Sequence, residues 1–155
     1  TVLRACAAKT APEGCSLERV RPTQAVCFPL GTNGWRVSDA YGWRTDPLTG
    51  EETFHRGTDL ACAEGTRVLA VMDGVVSAAR RSTTYGNYLR LSHSGGQETI
   101  YAHLQYLFVR AGEVVQAGQS LGTAGETGRS TGTHLHFELL EQGTRYDAGA
   151  LLGLP

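Results

Sequence analysis

Short runs of alternating hydrophobic and polar residues, separated by glycine, follow one another along most of this chain. Alternation over about four to eight residues is typical of a strand with one buried face. No window sustains the period of a long amphipathic helix, and only residues 146–153 are expected to form a short one. Six runs are predicted to be strands: residues 35–43, 66–72, 74–80, 87–93, 98–104 and 133–140.

The connections between these runs contain many of the chain's 20 glycines. Asp73-Gly74 and Ser94-Gly95-Gly96 are predicted to be hairpin turns that join neighbouring strands. Many short strands with tight glycine corners are typical of an antiparallel β-sandwich or an open barrel. The sequence therefore predicts a mainly β fold with few or no long helices.

Residues 1–26 differ from the rest of the chain. They are punctuated by proline, glycine and cysteine, and they sustain neither the strand nor the helix period. A chain of 155 residues with 41% hydrophobic residues fits one globular domain with its own core. We therefore expect an irregular extension, residues 1–26, that wraps on a domain formed by residues 27–155.

The charge pattern excludes two classes of partner. The formal net charge is -1 and lysine and arginine form no long cluster, so neither nucleic acid nor an anionic membrane surface is expected to bind. No apolar run approaches the roughly 20 residues of a membrane span, and the amino terminus lacks the apolar core of a signal peptide. We expect any export signal or membrane anchor of the native protein to lie upstream of this chain.

The four cysteines, Cys6, Cys15, Cys27 and Cys62, match no C-x-x-C zinc or redox spacing. Disulfides and free buried thiols both remain open. If the domain acts outside the cytoplasm, the expected pair is Cys27 with Cys62. These two residues flank the first core strand and the strand that follows residues 55–59.

Two histidines interrupt the apolar run at residues 133–140. Side chains alternate across a strand, so His134 and His136 share one face while Leu135 and Phe137 point towards the core. The pair is either an exposed feature of the sheet surface or part of a site.

His55 and Asp59 form a second candidate element. A fully extended strand would separate them by about 13 Å, too far for both to bind one metal ion. The segment must therefore bend if it binds metal, and Gly57 permits a bend. Without a metal, this segment would be a turn with an incidental aspartate.

The third element is the run at residues 98–104, where Tyr101 and His103 are expected to share a strand face. His93 lies beside a predicted turn and is expected on the solvated surface. His55, Asp59 and one of the histidines at 134 and 136 make a nitrogen and oxygen set that suits zinc with one open position. Zinc lowers the pKa of a bound water to about 7, and the remaining histidines could then move protons.

These motifs together resemble the lysostaphin-type zinc endopeptidases of peptidoglycan, peptidase family M23. The matching elements are H-x-x-x-D at 55–59, Y-x-H at 101–103 and H-x-H at 134–136, and the resemblance runs from about Phe28 to Leu140. It implies one Zn²⁺ per chain and hydrolysis of peptide cross-links or stem peptides of bacterial peptidoglycan. It also implies an extracytoplasmic location in the cell wall, in the periplasm or in the medium.

The resemblance assigns roles to five residues that all match the family pattern. It makes His55, Asp59 and His136 the zinc ligands, and it makes His103 and His134 the catalytic pair.

Three further positions receive weaker support from the resemblance. Asn87 and Arg44 would contact substrate in the cleft. Glu138 lies on the same strand face as His136 and would support that ligand, unless it is simply an exposed carboxylate. The chain departs from the family at its carboxyl end, which puts the last strand and helix in doubt but no site residue.

One alternative keeps the fold but not the activity. Some members of this family are scaffolds of the cell envelope or of sporulation channels, retain part of the metal site and bind a regulatory or channel protein. The intact pair of His103 and His134 favours an enzyme over such a scaffold.

Two other patterns are not expected to carry function. Residues 118–122 match the G-x-S-x-G nucleophile motif, but the parallel sheet and helices that it requires are missing, so Ser120 is predicted to be an ordinary strand residue. Residues 114–122 resemble a biotinyl or lipoyl carrier domain, whose cofactor is attached to a lysine on a hairpin. The only lysine here is Lys9, in the irregular extension.

Overall fold

The structure is a computed structural model that describes residues 10–46 and 49–154. Within these ranges, no helix has the length and apolar character needed to span a membrane. The predicted mainly β architecture is confirmed. The short helix expected near the carboxyl end is α1, Ala148–Leu151, and the side chain of Asp147 caps it by accepting a hydrogen bond from the amide of Ala150.

In the described part of the chain, ten strands form one antiparallel sheet and two others form a separate hairpin. The strands are β1 (Arg36–Asp39), β2 (Gly42–Thr45), β3 (Glu52–His55), β4 (Thr58–Ala61), β5 (Arg67–Leu69), β6 (Gly74–Ser82), β7 (Gly86–Ser92), β8 (Gln97–Leu107), β9 (Val114–Val115), β10 (Ser120–Ala124), β11 (His134–Glu141) and β12 (Thr144–Tyr146). The main order in the sheet is β1-β4-β11-β8-β7-β6-β9. Strand β10 joins β8 to β5, β12 lies beside β11, and β2 pairs with β3.

Strand β11 lies between β4 and β8 at the centre of the domain. Its core face carries Leu135, Phe137 and Leu139, which have no exposed surface. The opposite face carries His136 and Glu138, which are also buried. Polar residues that are buried on a central strand need partners, because an unpaired polar group costs free energy away from water. The partners of this second face form the candidate site.

The strand register aligns the site residues. On β11, His136 lies directly opposite Asp59 of β4 on one side and Ala102 of β8 on the other. Directly opposed residues of antiparallel strands share a face, so this register alone brings the carboxylate of Asp59 beside the ring of His136.

One of the two predicted hairpin turns is confirmed and the other is wrong. Ser94–Gly96 is a short 3-10 turn between the paired strands β7 and β8, with Gly95 and Gly96 at positive φ. Asp73 and Gly74 instead join β5 to β6, and these strands pair with other partners. Turn residues allow the chain to change direction, but they do not determine which strand it meets next.

The amino-terminal segment lies against the sheet. Residues 10–26 contain no helix or strand apart from an isolated bridge between Cys15 and Arg145. The side-chain amide of Gln97 donates to the carbonyl of Arg21 at 2.7 Å, and the hydroxyl of Thr23 donates to the carbonyl of Ser94 at 3.0 Å. The boundary at residue 26 stays a prediction, and residues 1–9 lie outside the described residues.

The predicted disulfide between Cys27 and Cys62 is not formed. Both residues are free thiols, as is Cys15. A disulfide needs the two Cβ atoms within about 4 Å, and a position on flanking elements does not ensure that distance. The thiol of Cys27 instead donates to the carbonyl of Phe28. Burial raises the pKa of the Cys62 thiol. Cys6 lies outside the described residues.

His93 is buried, contrary to the surface position expected from the sequence, with only 7% of its surface exposed. Its Nδ1 lies 2.8 Å from the carbonyl oxygen of Asp73 and its Nε2 lies 2.7 Å from the hydroxyl of Thr99. That hydroxyl donates to the hydroxyl of Tyr101 at 2.9 Å, and the Tyr101 oxygen also accepts from the amide of Val71. The contact at Nδ1 requires an N–H that donates to the carbonyl of Asp73, and burial favours the neutral form of the ring.

Protonation of His93 should therefore destabilise the fold. Burial lowers the pKa of His93, so the unfolded chain, with an ordinary pKa near 6.5, takes up the proton first as the pH falls. The free energy of unfolding should decrease below about pH 6.5, because the unfolded state then binds more protons than the folded state.

The variant His93→Asn should lose stability at pH 7, by about 1–3 kcal/mol, because the buried hydrogen bonds of the ring to Asp73 and Thr99 are lost. Its stability should also depend less on pH than that of the wild type. Urea unfolding of both proteins at several pH values between about 5 and 7.5, with chelator present to remove metal, measures both effects. Equal pH dependence in the two proteins would show that His93 does not titrate on unfolding.

Candidate metal centre and proton-transfer pair

Three side chains converge where β3, β4 and β11 meet. His55, Asp59 and His136 each offer one potential ligand atom, and these three atoms lie within 4.8 Å of one another. His136 Nδ1 is 2.7 Å from one carboxylate oxygen of Asp59, and His55 Nε2 is 3.5 Å from the other. Two imidazoles and one carboxylate form a donor set that fits zinc with a fourth position open.

The local sequence explains how His55 and Asp59 meet. The predicted bend is present, because β3 ends at His55 and β4 begins at Thr58. The bend requires Gly57 for a reason the sequence did not reveal. A Cβ at this position would lie 2.7 Å from Cε1 of His136 and 2.8 Å from the carbonyl oxygen of Phe137. Glycine is needed here because the bend passes directly over the ring of His136.

His55 is oriented by groups behind its ring. Its Nδ1 lies 3.1 Å from the carbonyl oxygen of Ala40 and 3.7 Å from a carboxylate oxygen of Asp39. A hydrogen bond from Nδ1–H to this carbonyl leaves Nε2 unprotonated and directed at the cluster. Arg44 forms an ion pair with Asp39 and lines the cleft, so the structure places it at the site where it was expected.

Glu138 supports the other face of His136. Its carboxylate is 2% exposed, and it accepts hydrogen bonds at 2.7 Å from His136 Nε2, the hydroxyl of Tyr85 and Arg145 Nε. Glu138 is therefore a buried partner of a candidate ligand and not an exposed strand carboxylate.

Sequence reasoning missed Tyr85 and Arg145 as partners of Glu138. One signal was available for Arg145. A charge on a buried strand needs a countercharge, and Arg145 lies just across the short β11–β12 hairpin. Tyr85 follows no local pattern, because it reaches Glu138 from the loop between β6 and β7.

Opposing effects set the pKa values in this cluster. Burial favours the uncharged form of each group, but mutual hydrogen bonds and charges dominate. Hydrogen bonds from His136 and His55 hold the pKa of Asp59 below its usual range. Hydrogen bonds to Asp59 and Glu138 raise the pKa of His136 to about 9. The hydrogen bond from His136 in turn helps to lower the pKa of Glu138 to about 2. Both carboxylates are therefore ionised at neutral pH and attract a cation.

His103 and His134 form a second pair beside the cluster, with ring centroids 4.9 Å apart. His103 Nδ1 lies 2.8 Å from the carbonyl oxygen of Thr127, and His134 Nδ1 lies 2.9 Å from that of Gly132. Donation from Nδ1–H in each ring leaves Nε2 as the nitrogen that can exchange a proton. Burial lowers the pKa of His103, which keeps it neutral and able to accept a proton at pH 7.

The backbone at His103 is unusual and corrects one expectation. Tyr101 and His103 do not share a face, since Tyr101 is fully buried against Phe137 in the core while His103 lines the cleft. His103 has a φ of 64°, in the left-handed region, and the β7–β8 register shifts at this point. This irregularity interrupts the alternation of side chains. Left-handed backbone at residues other than glycine is costly and is concentrated at functional sites.

Asn87 does not line the cleft in which the histidines lie. Its side-chain amide donates to the carbonyls of Leu104 and Gln105, and its oxygen accepts from Arg81. These contacts tie the start of β7 to β8, so Asn87 contributes to the scaffold that carries His103. Ser120 begins β10, as predicted, and the hydroxyl of this strand residue is buried.

The candidate ligands and the histidine pair open into one cleft of about 380 Å³. Polar and aromatic side chains line it. The lining residues are Asp39, Arg44, His55, Asp59, Thr84, Tyr85, His103, Arg129, Ser130, Thr131, His134 and His136.

Comparison with known proteins agrees with this geometry. The family model described as Peptidase family M23 matches residues 53–148, which is more than half of the chain. The peptidoglycan DD-endopeptidase ShyC of Vibrio cholerae is 46% identical over 100 residues, which are 64% of this chain and 23% of ShyC. The chain thus spans about a quarter of the length of this relative.

Solved structures show the same fold. A zinc containing peptidase from Vibrio cholerae superposes with a TM-score of 0.75 at 36% identity, over 81% of this chain and 39% of that one. The catalytic domain of lysostaphin from Staphylococcus simulans superposes with a TM-score of 0.68 at 31% identity, over 77% of this chain and 92% of that one. On the family match, this chain belongs to peptidase family M23.

Proposed function

We propose that this chain is the catalytic domain of a zinc endopeptidase that hydrolyses the peptide part of bacterial peptidoglycan. The observation that carries the proposal is the position of the His103 and His134 pair beside the three-residue cluster, in one cleft. The match to peptidase family M23 and the name of ShyC support it.

The zinc site would consist of His55, Asp59 and His136, with one ion per chain. The two imidazoles are fixed from behind by Ala40 and by Glu138, so each presents its remaining nitrogen to the ion. When bound, zinc supplies a Lewis acid that polarises a carbonyl and lowers the pKa of water.

His103 and His134 would handle the protons of the reaction. One accepts a proton from the attacking water through Nε2. The other, in the form that also carries a proton on Nε2, donates a hydrogen bond to the developing oxyanion or a proton to the leaving amine. The hydrogen bonds of both Nδ1 atoms to backbone carbonyls keep Nε2 of each ring available for proton exchange.

The substrate would lie along the open cleft between Arg44 and Arg129. Because the named relative is a DD-endopeptidase, cross-links between D-amino acids are the first substrates to test. An enzyme of this kind acts outside the cytoplasm. Asn87 is left out of the proposed substrate contacts, because its side chain is bonded to β8 and to Arg81.

No observation favours the alternative of a scaffold that retains zinc without activity. In a scaffold there is no reason to hold two histidines in one tautomer beside the metal ligands or to maintain left-handed backbone at His103. A regulatory or channel protein partner stays a prediction.

Removal of a ligand should remove the metal. His55→Ala and Asp59→Ala each delete one of only three protein ligands, so both should abolish stoichiometric zinc binding and activity. Elemental analysis of protein purified without chelator measures this, with about one zinc expected in the wild type. A wild type that holds no metal even after zinc addition would contradict the assignment.

Removal of His103 should separate catalysis from metal binding. His103→Ala should keep zinc and lower the cleavage of purified peptidoglycan by about 10² or more, the usual scale for loss of a positioned acid or base. His103→Asn is a second variant, because asparagine tolerates left-handed backbone better than alanine does. Zinc content and thermal unfolding are measured beside turnover. Wild-type rates in both variants would contradict a catalytic role.

A further inference from the structure

Glu138 is the buried group on which the orientation of His136 depends. One of its oxygens accepts from both His136 Nε2 and the hydroxyl of Tyr85, and the other accepts from Arg145 Nε. Arg145 is the cation that balances this carboxylate when His136 serves as a neutral zinc ligand. A buried carboxylate without a cation would be costly and would turn towards water or take up a proton.

Arg145 is held in place by elements from two distant parts of the chain. On one side it pairs with Leu140 in the β11–β12 hairpin. On the other, its amide donates to the carbonyl of Gly14 at 2.8 Å, and its carbonyl accepts from the amide of Ser16 at 2.9 Å. The hydroxyl of Tyr41 adds contacts to the carbonyls of Ser16 and Arg145.

Residues 10–16, which we call the amino-terminal strap, also contact the other side of the site. The indole nitrogen of Trp43 on β2 donates to the carbonyl of Thr10 at 3.2 Å. Trp43 packs edge-to-face on Phe54, which directly precedes the candidate ligand His55. The strap therefore contacts both the β2–β3 hairpin, which carries His55, and β12, which carries Arg145.

We propose that the strap and Arg145 position the zinc ligand His136, with Glu138 as the connecting group. This inference rests on the proposed metal site and extends it to residues 10–16, which precede the part of the chain matched by the family model. Arg145 acts as a positioning residue that does not touch substrate. The strap completes the edge of β12, β12 directs Arg145 to Glu138, and Glu138 fixes the ring that binds the metal.

A second arginine–glutamate pair provides a matched control. Arg90 and Glu98 on β7 and β8 form two hydrogen bonds of 2.7 Å and 3.0 Å and are also partly buried, but they contact no candidate ligand. If Arg145 only stabilises the fold, Arg145→Met and Arg90→Met should affect the protein in the same way. If it positions His136, only Arg145→Met should weaken metal binding.

The experiment measures zinc affinity by competition with a chromophoric chelator, together with thermal unfolding of the metal-free proteins. Arg145→Met should lower zinc affinity about 10–100-fold, the usual effect of losing a partner behind a metal ligand. Arg90→Met should keep wild-type affinity, and Arg145→Lys should lose less than Arg145→Met because it retains the charge. The lysine variant also provides a folded comparison if Arg145→Met does not fold. Wild-type zinc affinity in a folded Arg145 variant would overturn the proposal.

The strap is tested by a single backbone hydrogen bond. Ser16→Pro removes the amide that donates to Arg145, whereas Ser16→Ala keeps it. Zinc affinity should fall in the proline variant and stay unchanged in the alanine variant, and equal affinities would exclude the strap from the metal site. Neither measurement uses peptidoglycan. A wild type that binds zinc but cleaves no substrate would therefore refute the proposed function and leave this inference standing.

Discussion

The contact between Asp59 and His136 is the interaction on which the site depends. It joins β4 to β11 at 2.7 Å, and it exists because these strands pair in a register that places the two residues opposite each other. A shift of one residue would turn His136 into the core and Phe137 out of it. The packing of Leu135, Phe137 and Leu139 against the core therefore also fixes the position of the candidate ligands.

Burial of charge on the second face of β11 explains much of the surrounding structure. Asp59 and Glu138 place two carboxylates beside one imidazole, and each needs compensation. Glu138 obtains it from Arg145 and Tyr85. The partners of the Asp59 carboxylate among the described residues are histidines, so the proposed metal ion would complete its compensation. The same electrostatic requirement therefore accounts for the proposed metal site and the network behind it.

The sequence predicted the runs that form β1, β5, β6, β7, β8 and β11, and the identity of the converging residues. It did not predict β3, β4, β9 or β12 as strands, and it did not predict all of the geometry of the site. Alternation placed His134 and His136 on one face. An extended segment could not bring both His55 and Asp59 to one metal ion, and the bend at Gly57 that this argument required is present. The prediction from alternation failed at His103, because its left-handed backbone interrupts the period of two. As a result, His103 faces the cleft while Tyr101 faces the core. His93 was placed on the surface because its partner Asp73 lies on a different connection, 20 residues away in the chain. Tyr85 was missed because it reaches Glu138 from the loop between β6 and β7.

The central claim is that His55, Asp59 and His136 hold one zinc ion with a fourth position open towards His103 and His134. X-ray absorption at the zinc edge of the purified protein tests it most directly, because it measures the identity and distance of the atoms bound to the metal. The account predicts nitrogen and oxygen ligands at about 2.0–2.2 Å, including two imidazoles, in a four-coordinate shell. A sulfur ligand near 2.3 Å, or a shell without imidazole, would contradict it.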